Sequence, residues 1–295
     1  MRPAEQGFLL LSSHLGDPQR KVLTTTQLRT LSNRAQLISR EDRDMTIQDL
    51  IAVGYDHAMA QRILQLLSST AQLQWYLSQG KRKDCVPLPR IGAAYPAAVR
   101  NRMGLDAPGC LWAKGDLDLL TRPAVALVGS RNLHPENAAF AMEAGRQAAL
   151  QGYVLVSGNA KGADRLAQQA CLDAGGSVIS VVADELSTKP LNEHLLWLAE
   201  DGFDLPFSAQ RALSRNRVIH ALGAVTLVAQ CSYETGGTWD GTAKNLRKGY
   251  SPVCCFCDGS AAMQALSCMG AAQIQIEQLQ DLFSLEQSNK NFIDQ

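Results

Sequence analysis

The sequence predicts an α/β protein: a mostly parallel sheet with helices on both faces, preceded by a small helical N-terminal domain. Two observations carry that prediction. Apolar runs with the β-branched enrichment of buried strands recur at intervals that alternating strands and helices produce. Four segments set such runs against glycine-rich or basic turns: AVALVGSR (124–131), YVLVSGNAKGAD (153–164), SRNRVI (214–219) and TGGTWDGTA (235–243). If the strands are parallel neighbours, all four turns converge on one sheet edge. That edge, outside the carboxyl ends of the strands, is where open α/β folds bind ligands.

The elements follow in chain order. Thr46 and Asp49 are spaced as a capping box, so Thr46 to Val53 reads as a short amphipathic helix that Gly54 ends. Asp56 caps a longer helix through about Gln79, on which Leu64, Leu67, Leu73 and Leu77 form a stripe at helical spacing. Residues 1–85 are expected to form a helical domain packed on the sheet. A sharper alternative is a helix-hairpin-helix-like module that touches DNA backbone through the Gly54 turn. Lys81-Arg82-Lys83 follows as a basic linker. Strands are expected near 124–129, 153–157, 177–183, 224–230 and 252–257, within a domain spanning 86–275. The last run, Pro252-Val-Cys-Cys-Phe-Cys, places Cys254, Cys255 and Cys257 in a buried strand, where free cysteine packs as a small hydrophobe rather than binding zinc. From Asp258 the chain turns polar and acidic, and 276–295 reads as a tail.

Composition bounds the function. With 295 residues and 46% hydrophobic content the chain can bury a sizeable core. Its 28 basic and 28 acidic side chains give a formal net charge of zero, which excludes binding of nucleic acid through total charge. What remains is a local funnel of the kind single-strand binding uses. Arg131, Lys161, Arg165, Arg215, Arg217, Lys244, Arg247 and Lys248 cluster near the expected edge, so affinity should be modest and strongly salt-dependent. Phe8 to Leu11 is too short for a signal-peptide core, and no run has the length of a membrane helix. The expected compartment is the cytoplasm, with reduced thiols.

The turns carry the chemistry. Gly129 permits a sharp reversal, backbone N–H groups at the next helix start can hold an anion, Ser130 adds a hydroxyl and Arg131 a positive fork. Ser157, Gly158, Asn159 and Lys161 repeat the device. Gly162 is small enough for a ligand to approach the backbone, and Asp164 lies near the start of a helix continuing through Leu172. In Arg215-Asn216-Arg217, one arginine can reach phosphate while the other, or Asn216, fixes the turn or touches a base. Gly236-Gly237-Thr238 offers close backbone approach, with Thr242 and Lys244 as further donors. None of these is a GxGxxG or a GxxxxGK[ST], so neither standard dinucleotide nor P-loop binding is expected. No HExxH, nucleophile elbow or carboxylate pair stands out, and the five histidines are scattered. The chain is therefore not expected to be an enzyme, no cofactor or metal is assigned, and His220 reads as a packed or surface residue rather than a base.

The order VGSR, SGxAxGxD, RNRxI, GGT…TA resembles the DNA-processing protein A family, also called Smf, a Rossmann-like group. Upstream, Pro89-Arg90, Tyr95-Pro96, Leu111-Trp112 and Gly115-Asp116 are similar to the segment before that family's first strand, so the likeness covers roughly 86 to 275. The resemblance implies a single-stranded DNA-binding protein that forms homodimers and, in transformable bacteria, protects incoming DNA and helps load the recombinase RecA. There are departures. Ala212 and Ser214 stand where the family has an aromatic and a basic residue, Gln230 replaces an acidic one, and the family's isoleucine and histidine after SGxAxG are absent. Trp239, in a turn one residue longer, either replaces the lost stacking surface or begins the next helix with its ring on the sheet. The C-terminal winged helix that many members carry is not expected from the residues after Asp258. Such a divergent branch is also compatible with partnering a toxin in a phage-defence module. A nucleotide sensor, or a phosphoribohydrolase-like enzyme whose GG-T turn leads to a glutamate this chain lacks, are further alternatives.

Overall fold

The computed structural model describes residues 1–38 and 44–288. Its strands are β1 (Val86–Pro89), β2 (Cys110–Gly115), β3 (Ala124–Val128), β4 (Val154–Ser157), β5 (Ser177–Val182), β6 (Leu195–Glu200), β7 (Thr226–Val228), β8 (Val253–Phe256) and β9 (Ala272–Ile274). They form one sheet in the order β1-β2-β6-β5-β4-β3-β7-β8-β9. From β6 across to β9 every pairing is parallel, whereas β2 joins β6, and β1 joins β2, antiparallel. Within the parallel part, chain order runs from β3 through β6 one way and from β7 through β9 the other. The reversal falls between β3 and β7, where connections leave for opposite faces and open a crevice.

The helices are α1 (Pro3–Ser12), α2 (Thr25–Ala35), α3 (Ile47–Ala52), α4 (His57–Ser68), α5 (Thr70–Arg82), α6 (Ala97–Met103), α7 (Pro135–Leu150), α8 (Ala163–Asp173), α9 (Ala209–Leu222), α10 (Gly236–Lys248), α11 (Ala261–Cys268) and α12 (Leu282–Ser288). Strand alternation sorts them onto two faces. Val125 and Leu127 of β3 pack with Phe140 and Ala144 of α7 and Ala167 of α8 in one core. Ala124, Ala126 and Val128 pack with Val218 of α9, Trp239 of α10 and Met263 of α11 in the other. Cys254 and Cys255 divide in the same way, one to each core, and both are fully buried. Cys257, although expected in the same buried strand, lies just beyond β8 and bonds the Gln273 side chain.

All five expected strands form, trimmed at their ends, and four more join them. β6 escaped the sequence reading because its run, LLWLAE, is written in residues that favour helices as much as strands. β1 contains two prolines, which an edge strand tolerates. In the N-terminal part the capping box is present, with Thr46 Oγ1 accepting from the Asp49 N–H and the Asp49 carboxylate accepting from the Thr46 N–H at 2.8 Å. The single helix expected through Gln79 is instead two, α4 and α5. The Ser68 and Ser69 hydroxyls both bond the Gln65 carbonyl at 3.0 Å, drawing an acceptor from the helical ladder where the chain breaks. Tyr76 of α5 meets Trp112 and Phe203 at ring separations of 5.3 and 4.8 Å, so α5, with Leu9 and Leu10 of α1, shares the sheet's core, whereas Leu31, Leu50 and Ile63 of α2, α3 and α4 pack in a core of their own.

The segment read as a polar tail adds a 3-10 turn (Ile276–Gln280) and α12, whose Leu279, Leu282 and Leu285 are buried. Three leucines at a spacing of three residues make a narrow apolar stripe that average polarity conceals. Residues 289–295 of that expectation lie outside the described residues. Among the described residues no helix is long and apolar enough to cross a membrane.

Candidate functional site

At the reversal of chain order a cavity of about 410 Å³ opens beyond the ends of β3 and β7. Gly129, Ser130 and Arg131 enter it from the turn after β3, Ala160 from the turn after β4, Arg215 and Asn216 from α9, and Gly236 to Thr238 from the start of α10. All four sequence segments therefore meet at one edge, as their spacing predicts.

Arg215 is the central group. Only 8% of it is exposed, and its Nε is buried without a hydrogen-bond partner. No carboxylate among the described residues forms an ion pair with it. Burial lowers its pKa, and the chief opposing influence is the Asp164 carboxylate. Gly158 admits the side chain, because a Cβ there would overlap the guanidinium. Asp164 in turn builds the wall: its carboxylate accepts from the Gly158 and Ala160 N–H groups at 3.0 and 3.2 Å. Burial raises the Asp164 pKa, while Arg215 and those two N–H groups act against the rise.

The start of α10 faces the same space. Thr235, at the N-cap, makes no side-chain capping bond, so the first N–H groups of this 13-residue helix retain their capacity to bind an anion. Two bonds hold that end in place. Asn216 Nδ2 donates to the Gly237 carbonyl at 2.9 Å, and Thr238 Oγ1 donates to the Gly129 carbonyl at 3.0 Å. Arg131 stands exposed at the rim. A buried cation, a helix N-terminus and a second arginine at the mouth make a site chemically suited to phosphate.

Other expected residues are occupied by the fold. Ser130 Oγ donates to the Gln230 carbonyl at 3.2 Å. Ser157 is fully buried and accepts from Gln168 Nε2 at 2.5 Å. Gly162 has φ +89°, and a Cβ there would strike the Ser130 and Arg131 carbonyls; the close approach it permits is by the chain, not by a ligand. Asn159 (φ +56°) and Lys161 sit on the outer part of the β4 turn and do not line the cavity. Arg217 points away, its Nη2 2.8 Å from Glu200 Oε2 and its Nε donating to the Ser214 carbonyl. With Lys244 it lines a neighbouring cleft that shares Leu213 with the cavity. Trp239 is buried and meets Tyr233 edge-on at 5.2 Å, so of the two expectations for it the core one holds.

His220 also lines the cavity floor but is a neutral imidazole. Burial, with the nearby Arg215 charge, pushes its pKa down to about 3. Its Nδ1 lies 3.2 Å from Thr226 Oγ1 and 3.3 Å from Asn245 Nδ2, within a buried polar network. Three contributors were missed. Gln230 braces the turn after β3, accepting from the His134 N–H at 2.9 Å and donating to the Asn132 carbonyl. Phe207 and Leu213 form an exposed apolar wall of the cavity, and because Phe203, Leu205 and Pro206 lie just before it no local pattern singles out Phe207.

An open doubly wound sheet with a cationic, glycine-lined cavity at its reversal point defines a Rossmann-like protein with an anion-receptive site. Residues 89–249, more than half of the chain, match the family described as DNA recombination-mediator protein A, and the chain belongs to that family. Over 149 residues it is 36% identical to DNA processing protein DprA of Streptococcus pneumoniae, a match covering 44% of this chain and 50% of that protein. The matched stretch thus spans about half the length of that curated relative. The X-ray structure of the Streptococcus pneumoniae protein superposes with a TM-score of 0.73 at 23% identity, covering 96% of this chain and 98% of the other. A structure of DNA processing protein A from Helicobacter pylori, described as revealing a unique single-stranded DNA binding mode, gives a TM-score of 0.53 at 22% identity over 71% of this chain and 96% of its own. Both likenesses are of fold.

Proposed function

We propose that the chain binds single-stranded DNA, seating strand phosphates at the C-terminal edge of the parallel sheet, and that it acts in DNA processing. The observation that carries this reading is Arg215. A buried guanidinium without an ion pair costs the folded chain several kcal/mol, and a phosphate is a partner whose arrival offsets that cost. Membership of the recombination-mediator family supports DNA as the source of the phosphate, and the relative from Helicobacter pylori is described as a single-strand binder. Phosphate contacts position a strand without reading its bases, so sequence preference should be slight. In this reading the chain works in the cytoplasm as a homodimer and passes its strand to a RecA-type recombinase.

Fluorescence anisotropy with single-stranded, double-stranded and mononucleotide ligands over a range of salt tests it. Single strands should bind best, with log affinity falling linearly against log salt by about 0.7 for each phosphate neutralised. Duplex binding as tight as single-strand binding, or no single-strand binding at low salt, refutes it.

A further inference from the structure

We propose that Phe207 is the base-stacking surface of this site and that Arg211 is the residue that positions it; the inference rests on the single-strand reading above. Ala212 stands where the resemblance expects an aromatic ring, and Ala212 lines the cavity. Trp239, the other candidate, is buried against Tyr233. The cavity therefore has a phosphate floor but no ring from either expected place.

Phe207 faces the same cavity from the loop between β6 and α9. Its exposure is 59%, with Leu213 beside it on the wall at 50%. A large apolar ring kept in water at the mouth of a cationic cavity complements a ligand with an anionic end and a flat apolar face, which is a nucleotide.

The backbone around that ring is fixed in advance. Arg211 Nη1 donates to the carbonyls of Ala183, Leu205 and Pro206 at 2.7, 2.9 and 2.9 Å. Nη2 reaches the Glu200 carbonyl at 3.3 Å. Leu205 and Pro206 lead directly into Phe207, and on its other side Ser208 Oγ accepts from the Arg211 N–H at 3.1 Å. The ring thus hangs between two anchored residues, so little backbone entropy is left to lose when a base stacks on it. The brace of the ring and the phosphate-facing cation belong to one helix, since Arg211 and Arg215 are on successive turns of α9.

The test measures affinity for an oligothymidylate and for an abasic oligomer of equal length at one salt concentration. Phe207→Ala should weaken oligothymidylate binding by roughly fivefold to a hundredfold, leave the abasic oligomer unchanged, and leave the melting temperature unchanged. Phe207→Trp should keep the affinity, and its indole emission should be quenched by oligothymidylate but not by the abasic strand. Arg211→Lys cannot span four carbonyls and should lower the ratio of the two affinities rather than both together. Equal losses on both oligomers, or no loss on oligothymidylate, overturn the inference while leaving the strand reading intact. Absence of wild-type binding to either oligomer overturns both.

Discussion

Replacing Arg217 by Ala separates a structural arginine from a DNA contact. Glu200 is its partner, with only 7% of the side chain exposed. One carboxylate oxygen accepts from Arg217 Nη2 at 2.8 Å and from Ser214 Oγ at 3.1 Å, and the other is buried with no partner. Removing the guanidinium leaves a buried charge uncompensated, a change that costs about 3–5 kcal/mol. Arg217 is itself 23% exposed, so some water can reach the vacated space and the lower end, about 3 kcal/mol, is expected. Urea denaturation should show a lower midpoint with an unchanged slope. The pH dependence fixes the cause. Burial raises the Glu200 pKa, and Arg217 opposes the rise; without Arg217 the folded value climbs further above the unfolded one. An acid raised in this way costs nothing below its unfolded pKa and progressively more as pH rises toward its folded pKa. The deficit of Arg217→Ala should accordingly be small near pH 4 and grow as pH rises toward neutrality, and Glu200→Gln on that background should restore much of it. Wild-type stability at pH 7 combined with weakened DNA binding would refute this reasoning and return Arg217 to the phosphate site.

Arg215→Met fills the same space without charge; DNA affinity should collapse and the salt slope flatten while the ligand-free melting temperature rises, because the cost of the uncompensated charge is removed, and a fall of more than roughly 5 °C would make the charge structural. Trp239→Ala should destabilise the fold by about 3–5 kcal/mol, as aromatic truncation in a core does, with DNA affinity preserved in the folded fraction; lost affinity at unchanged stability would restore its stacking role. Because His220 is held neutral with a pKa of about 3, anisotropy titrations should give a flat affinity between about pH 5.5 and 8, and a midpoint near the ordinary histidine value of about 6.5 would show that it titrates in the site.

How far the sequence could be read depended on which physical signal each element leaves. β3 and β8 are continuous apolar runs, β4 and β5 are apolar but for buried serines, and all four are buried on both faces. β6 is equally buried, but its leucines, alanine and glutamate carry no strand preference, so only its pairing with β5 and β2 reveals it. The glycines were legible as sites of close approach, though not what approaches. At Gly158 it is Arg215 and at Gly162 the carbonyls of the preceding turn, both contacts over long stretches of chain that local sequence does not encode. Phe207 follows Phe203, Leu205 and Pro206, so nothing local marks it, and its exposure follows from where Arg211 ties the loop.

The arginine pair was decidable from the start. Read as part of a turn, Arg215-Asn216-Arg217 could send both guanidinium groups to one strand, whereas within α9 residues two apart lie about 200° around the axis from each other. Helical geometry alone forces one arginine toward the cavity if the other faces away. Val218 and Ile219, buried against the sheet, then fix the rotation of the helix. The same rotation turns Arg215 into the crevice beside Gly158 and Arg217 out to Glu200. Of the three arginines on this helix, Arg211 ties the loop before it, Arg217 is paired with Glu200, and Arg215 faces the crevice without an ion pair, where a phosphate can reach it.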